Sequence, residues 1–236
     1  LQSTFLFVVV ALQSFASHAA APKWDNWYTV TILPATPYAY YRETIESPNG
    51  RIHFKTQMWK QEEGYINEEQ LGAFSLDNES LTPLFFNFHS TYRTSELTID
   101  GTANESQLKI RIKKDGSDKP LITKVMPSKT IFSSLFPVWL RKQLVKKQTS
   151  GSFLAILEDN EQVGFSAVNG SYKMVENDEY SKTSGTTRIE VNFSDNKSYW
   201  YLDADGAPAR IEMPAQKTRV ERVTEARAKA FFKGGK

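Results

Sequence analysis

The chain has 236 residues, of which 40% are apolar and 24% charged, and a formal charge of +2. So small a basic excess gives no support for nucleic-acid binding, which draws on a marked one. With no Cys in the sequence, disulfides, thiolate catalysis, thiolate metal sites and a lipidated Cys are excluded within these residues.

Residues 1–21 read as a secretory signal peptide. Phe5 to Leu12 is apolar and too short to span a bilayer, and Ala19, Ala20 and Ala21 precede Pro22. Cleavage is expected between Ala19 and Pro22. The charged start of such a signal is not in the sequence, which opens on Leu1. A signal together with a Cys-free chain leads us to expect the periplasm of a Gram-negative bacterium.

From residue 22 to 225 the sequence reads as a run of strands. Tyr28 to Leu33 is apolar and β-branched, but Pro34 and Pro37 follow it, so it is expected as an edge strand or extended entry segment. Tyr38–Ser47 and Arg51–Gln61 flank Pro48-Asn49-Gly50, a hairpin signal. In the second of these, Ile52, Phe54 and Met58 share one face and Arg51, His53, Lys55 and Gln57 the other. Gly64–Ser75 is a weaker strand, its pattern broken at Asn67–Gln70. Thr82–Ser95 puts Leu84, Phe86, Phe88 and Tyr92 on one face. Gln107–Asp115 alternates cleanly, with Leu108, Ile110 and Ile112 inward, as in a sheet with one wet face. Lys119–Val125 ends this half.

A helical segment is then expected from Ser128 to Gln148. Ile131, Phe132, Leu135, Val138, Trp139 and Leu140 suit helical spacing, and Ser128 suits an N-cap. Pro137 forces either a kink or a second helix that begins around it. A lone helix this apolar among strands should plug a curved sheet. Strands resume at Ser152–Leu157, Val163–Val168, Ser171–Glu176, Thr186–Ser194, Lys197–Asp203, Ala207–Met213 and Thr218–Val223. Turns are expected at Asp159-Asn160, Asn169-Gly170, Asp195-Asn196 and Asp205-Gly206. This rhythm of local hairpins is that of one all-β meander without a linker. Residues 226–236 form a C-terminal tail, expected as a short basic helix or a disordered end.

Little in the chain carries chemistry. His53 and His89 fall on polar strand faces, without the further ligands that zinc needs. Asp203-Ala204-Asp205-Gly206 resembles part of a calcium loop but is explained by a hairpin turn. No GxSxG, HExxH or P-loop occurs. No enzyme activity, cofactor or metal is expected. Arg141, Lys142, Lys146 and Lys147 form a basic run that could touch lipid headgroups, so membrane contact is expected to be peripheral at most. The aromatics, 13% of the chain, either fill a core or line a cavity, since both use the same residues.

Three features together carry a resemblance: the stretch LGAFSLDNESLTPLFFNF, a central helix with Leu140-Arg141, and a Tyr-Trp-Tyr-Leu-Asp-x-Asp-Gly-x-Pro-x-Arg-Ile hairpin from Tyr199 to Ile211. Between Tyr38 and about Val223 the chain resembles a group of bacterial periplasmic proteins of uncharacterised function. That group looks similar to the LolA-like half-barrels, which carry lipoproteins or lipids. The resemblance implies a curved antiparallel sheet over helical segments with an apolar concave face.

The expected fold is mainly β, a single-domain half-barrel wrapped around a central helix; an up-and-down barrel and a β-sandwich are the alternatives. The expected function is periplasmic binding of a hydrophobic ligand, a lipid or acyl chain. The alternative is a non-enzymatic interaction or structural module of the envelope, with a filled core and an envelope protein as partner. A cell-wall hydrolase ranks last. The candidate ligand-binding residues are Phe54, Met58, Phe86, Phe88, Tyr92, Leu135 and Trp139, with Trp139 expected to pack on Phe86 or Phe88.

Overall fold

The structure is a computed structural model that describes residues 23–159, 161 and 164–232. The expected signal peptide, residues 1–21, lies outside the described residues. The first half of the chain forms β1 (Trp24–Ile32), β2 (Thr36–Glu46), β3 (Arg51–Glu62), β4 (Tyr65–Leu76), β5 (Pro83–Tyr92), β6 (Ser95–Ala103), β7 (Gln107–Lys114), β8 (Ser117–Asp118) and β9 (Ile122–Val125). The centre holds β10 (Thr130–Phe132), a 3-10 turn (Ser133–Leu135) and α1 (Phe136–Val145). There follow β11 (Ser150–Ile156), β12 (Val168–Met174), α2 (Glu179–Ser184), β13 (Thr187–Phe193), β14 (Asn196–Leu202), β15 (Pro208–Met213), β16 (Thr218–Val223) and α3 (Glu225–Lys229).

All the strands belong to one sheet, which is 58% of the structure against 12% helix and is not closed. Spatial order runs β10-β11-β12-β13-β14-β15-β16-β1-β2-β3-β4-β5-β6-β7-β8, with β9 also on β7. Every pairing is antiparallel except β10 with β11. The described chain thus enters the sheet at its middle, runs to one edge, crosses, and returns from the other edge to pair β16 with β1.

The crossing fixes the curvature. Val125 ends one edge strand and Thr130 begins the other, and the connecting backbone can reach only about 18 Å even when fully extended. Edges so close demand a sheet rolled nearly into a tube. Instead of zipping to β9, β10 turns inward, and Phe132 meets the Phe86 ring of β5 edge-on with centroids 5.4 Å apart. The 3-10 turn and α1 continue from there into the concave side. Leu135, Phe136, Val138 and Leu140 are 0–4% exposed and share one cluster with Phe54, Phe86, Phe88 and Ile110. The expected half-barrel around a central helix is therefore the architecture found.

Several local expectations need correction. The strand expected at an edge is central: β1 pairs with both β2 and β16. Pro34 falls beyond its end, and Pro37 lies in β2 beside a register shift at Val30/Thr31, so neither removes a donor from β1. The central segment is not helical from Ser128. Thr130–Phe132 is a strand, because β11 offers it backbone partners. Of the two alternatives at Pro137, the structure has the second: α1 begins at Phe136 with the proline in its first turn. Asn67–Gln70 does not interrupt β4, and Asn169-Gly170 is no turn but part of β12. The helix α2, capped by the Asp178 carboxylate on the Ser181 amide and ended by Gly185 at φ 68°, was not anticipated.

Candidate functional site

The register sorts the side chains of the sheet into two faces. On the concave side of the first half, one cross-strand row reads Trp24, Ile45, Phe54, Ala73, Phe86. These residues are 0–6% exposed. The next row reads Asn26, Glu43, Thr56, Leu71, Phe88. The central plug shares one cluster with the first row and with Leu71 and Phe88 of the second. Of the seven candidate ligand-binding residues, Phe54, Phe86, Phe88 and Leu135 come together here as packed core, 0–5% exposed. Met58 belongs to a smaller cluster farther along the tube, around Tyr28, Val30, Ala39 and Val220. Tyr92 is 38% exposed at the end of β5. Trp139 is half-buried and does not reach Phe86 or Phe88. Its rings pack on Phe136, Phe153 and Tyr172, at 5.6–6.1 Å between centroids. The correction has a simple cause: α1 is shorter than expected and starts later, so its Trp faces β11 and β12.

The concave side of the second half is built differently. Phe136 of α1 touches Phe153 (4.5 Å) and Trp200 (5.3 Å), and Phe153 touches Phe193 (5.4 Å). The rings form a wall with space on both sides. On one side is an apolar groove of about 420 Å³, lined by Phe136, Phe193, Trp200, Ile211, Met213 and Val220, with only neutral polar groups such as Ser133, Asn196 and Gln216 among its walls. On the other is a more polar cavity of about 700 Å³, with Lys129, Trp139, Gln143 and Tyr172 in its lining. Phe153 borders both. Ile211 and Met213 also pack on the small cluster that holds Met58, but Met58 itself does not line the groove.

Glycine explains how rings this large fit inside a tight curve. Phe153 lies opposite Gly170, and Tyr172 opposite Gly151. A Cβ on Gly170 would stand 2.2 Å from the Phe153 ring, and one on Gly151 2.9 Å from Tyr172. Each ring lies across the bare backbone of its neighbour. Phe86 uses the same device on Gly101. None of Phe153, Trp200, Ile211 and Met213 was among the candidate residues. The pairing of an aromatic with a glycine on the next strand was the available signal, and it becomes visible only once the register is known.

Two buried carboxyls flank these regions. Glu158, 1% exposed, follows β11. It accepts hydrogen bonds from the Ser133 amide (3.1 Å) and hydroxyl (2.6 Å), and from the Ser134 amide (3.2 Å) and hydroxyl, so it pins the start of the plug. Burial pushes its carboxyl up to about 7 against these donors, which pull the other way. Glu43, 8% exposed, sits on the concave side with Oε1 unpaired, and burial raises it to about 7.

The remaining candidates have structural settings. Asp203 Oδ1 accepts from the Asp205 and Ala207 amides and closes the β14–β15 hairpin, and Oδ2 pairs with Arg222 at 2.6 Å. His53 stacks on Phe74, and His89 faces Thr98. In the basic run, Lys142 reaches Asp77 at 2.7 Å and Lys146 pairs with Glu79, which ties α1 to the β4–β5 turn. Among the described residues, no group of three or more acidic or imidazole side chains could hold a metal, and no helix is long and apolar enough to cross a membrane. Comparison with protein-family models, curated proteins and solved structures found no significant match to this chain.

Proposed function

We propose that this protein binds an acyl chain or a similarly apolar ligand in the concave groove, as a periplasmic carrier or binding protein of the LolA-like half-barrel kind. The observation that carries the reading is the groove itself. Its lining is aromatic and aliphatic, its polar groups are neutral, and its volume of about 420 Å³ is unfilled by the protein. Preformed apolar clefts with a few convergent polar groups are the usual form of small-ligand sites. A second reading is an envelope interaction module without ligand. It is favoured by the first half of the tube, where the concave aromatics Phe54, Phe86 and Phe88 are packed in the core.

A titration with a fluorescent fatty acid separates the two readings. Saturable binding that is lost in Ile211→Asp and in Phe193→Asp supports the groove. Absence of binding, together with native mass spectrometry that finds no co-purified lipid on protein from a bacterial periplasm, supports the module.

A further inference from the structure

The convex side of the sheet, away from the plug, carries a cavity of about 490 Å³ over β3, β4 and β5. The register shows why it exists. Three rows of side chains cross these strands: Gln57, Gln70, His89; then Lys55, Gly72, Asn87; then His53, Phe74, Phe85. Gly72 is the centre of the grid, so a site ringed by side chains has none of its own. Gly72 carries no positive φ, and a Cβ there would stand 2.5 Å from Oδ1 of Asn87, whose side chain leans over the glycine, and 3.7 Å from the Phe74 ring. The backbone does not require glycine; its missing side chain leaves room for the end of Asn87 and for the hollow beside it.

The groups around the hollow are oriented. Gln57 and Gln70 both donate through Nε2 to one carboxylate oxygen of Glu68, at 2.6 and 2.8 Å. A carboxylate only accepts, so the two amide carbonyl oxygens are left as acceptors. Opposite them, Lys55 makes no ion pair among the described residues, and Thr44, its neighbour on β2, adds a hydroxyl. Arg42 also lines the cavity but is committed to Asp25 through two nitrogens, at 2.7 and 2.8 Å. One wall is aromatic: His53 and Phe74 line it, stacked with centroids 3.7 Å apart, and Phe85 stacks behind Phe74 at 3.9 Å.

We infer that this hollow is a saccharide-binding site, distinct from the concave groove, and that it takes an uncharged sugar unit of an oligosaccharide. A ring bearing neighbouring hydroxyls needs donors and acceptors side by side, with an apolar surface for its C–H face. The hollow has acceptors on Gln57 and Gln70, donors on Lys55 and Thr44, and beside them the apolar edge of the Phe74 ring, whose two faces are covered by His53 and Phe85. A phosphate or carboxylate suits it less well. Only one of the two lining cations is uncommitted, the carbonyl oxygens would face the anion, and Glu68 stands behind them. The site is independent of the acyl-ligand reading, and the failure of either leaves the other standing.

The test is an NMR titration of the mature protein with neutral glucose-, galactose- and N-acetylglucosamine-based oligosaccharides, a uronate oligosaccharide and inorganic phosphate, each to millimolar concentration. The inference expects at least one neutral oligosaccharide to shift the amides of Gly72 and the side-chain amides of Gln57 and Gln70. Gly72→Val, which fills the hollow with a residue suited to a strand, should weaken that binding at least tenfold while leaving binding of an acyl probe unchanged. Gln70→Leu, which leaves the glycine in place, should weaken it as well and guards against a folding defect in the first variant. Binding of the uronate or of phosphate alone would overturn the inference in favour of an anion site. No response to any probe, or a response unaffected by both variants, would overturn it outright.

Discussion

The two halves of the rolled sheet use the same materials to different ends. In β1–β7 the concave aromatics Phe54, Phe86 and Phe88 are 1–5% exposed, and β10 and the 3-10 turn fill the space before them. In β11–β16 the aromatics Phe153, Phe193 and Trp200 stand on the same face, yet a groove of about 420 Å³ is left beside them. Composition does not distinguish the halves. The plug does: it enters beside β5 through Phe132, crosses the tube, and turns Phe136 and Trp139 to the far side, where only its start, Ser133 and Phe136, borders the groove. An aromatic strand becomes a core or a cavity wall according to what lies opposite it.

The largest effect should come from Phe86, because it lies in the sealed half. Phe86→Ala removes a ring that is 1% exposed and in contact with Phe132, and should cost about 3–5 kcal/mol in a denaturant titration. Phe193→Ala removes a ring from the groove wall and should cost about 1 kcal/mol, because part of that ring has no packing partner to lose. Equal losses would show that the groove closes in solution and would erase the contrast between the halves.

Much of this contrast could not be read from the sequence. The alternation at Leu108, Ile110 and Ile112, and the hairpin turns at Asn49-Gly50 and Asp205-Gly206, set the strands and their order locally. The plug was legible as an apolar segment too hydrophobic for water. Its helical extent was not, because Ile131 and Phe132 suit a strand as well as a helix, and only a long-range partner, β11, decides between them. Apart from Leu135 and Trp139 of the plug, the candidate residues lie on strands of the first half, and an apolar strand face marks a sealed core as readily as a binding site. Phe153 carries no such mark in the sequence, where Asn169-Gly170 reads as a turn. The glycine instead accommodates the ring from the neighbouring strand.

The buried carboxyls give the next effect. Glu43 and Glu158 are each raised by burial from 4.5 to about 7. In the folded protein each holds its proton more tightly than in the unfolded chain, so stability is greatest below pH 4.5 as far as these groups are concerned. It falls as pH rises from 4.5 through 7, by roughly 3 kcal/mol for each group. Glu43→Gln keeps the shape and cannot ionise. It should match the parent protein at pH 4.5 and exceed it at pH 8, which would flatten the dependence of the melting temperature on pH. Identical pH profiles for the two proteins would mean that Glu43 is hydrated in the folded state.

Gly170→Ala sharpens the comparison from the groove side. The added Cβ would stand 2.2 Å from the Phe153 ring, which must lift off the sheet. Overpacking of this kind costs about 1–3 kcal/mol. The displaced ring should narrow the groove that Phe153 borders, and affinity for a fluorescent fatty acid should fall by more than it does in Gly72→Val on the convex face. An unchanged affinity would show that any ligand site lies elsewhere than beside Phe153.

The smallest effect concerns the tie between the halves. Lys142 of α1 reaches Asp77 at 2.7 Å and the Asn78 carbonyl at 3.1 Å, so the C-terminal end of the plug is anchored to the β4–β5 turn of the sealed half. The side chains are 13% and 16% exposed. That is too buried for the pair to be worth nothing, yet it is close enough to water that much of the Coulomb energy is screened. Lys142→Met keeps the alkyl stem and removes the charge, and should lower stability by about 1 kcal/mol. Salt supplies the control: if the pair contributes through charge, the gap between Lys142→Met and the parent should shrink in 1 M NaCl, where the screening length is about 3 Å. The anchor also positions Trp139 on the same helix, against Tyr172 and Phe153. Trp139 fluorescence should therefore shift to the red in Lys142→Met if the helix end loosens. A variant with unchanged stability and unchanged emission would mean that the aromatic wall holds α1 without the ion pair, and that the sealed half lends the cavity half nothing through this contact.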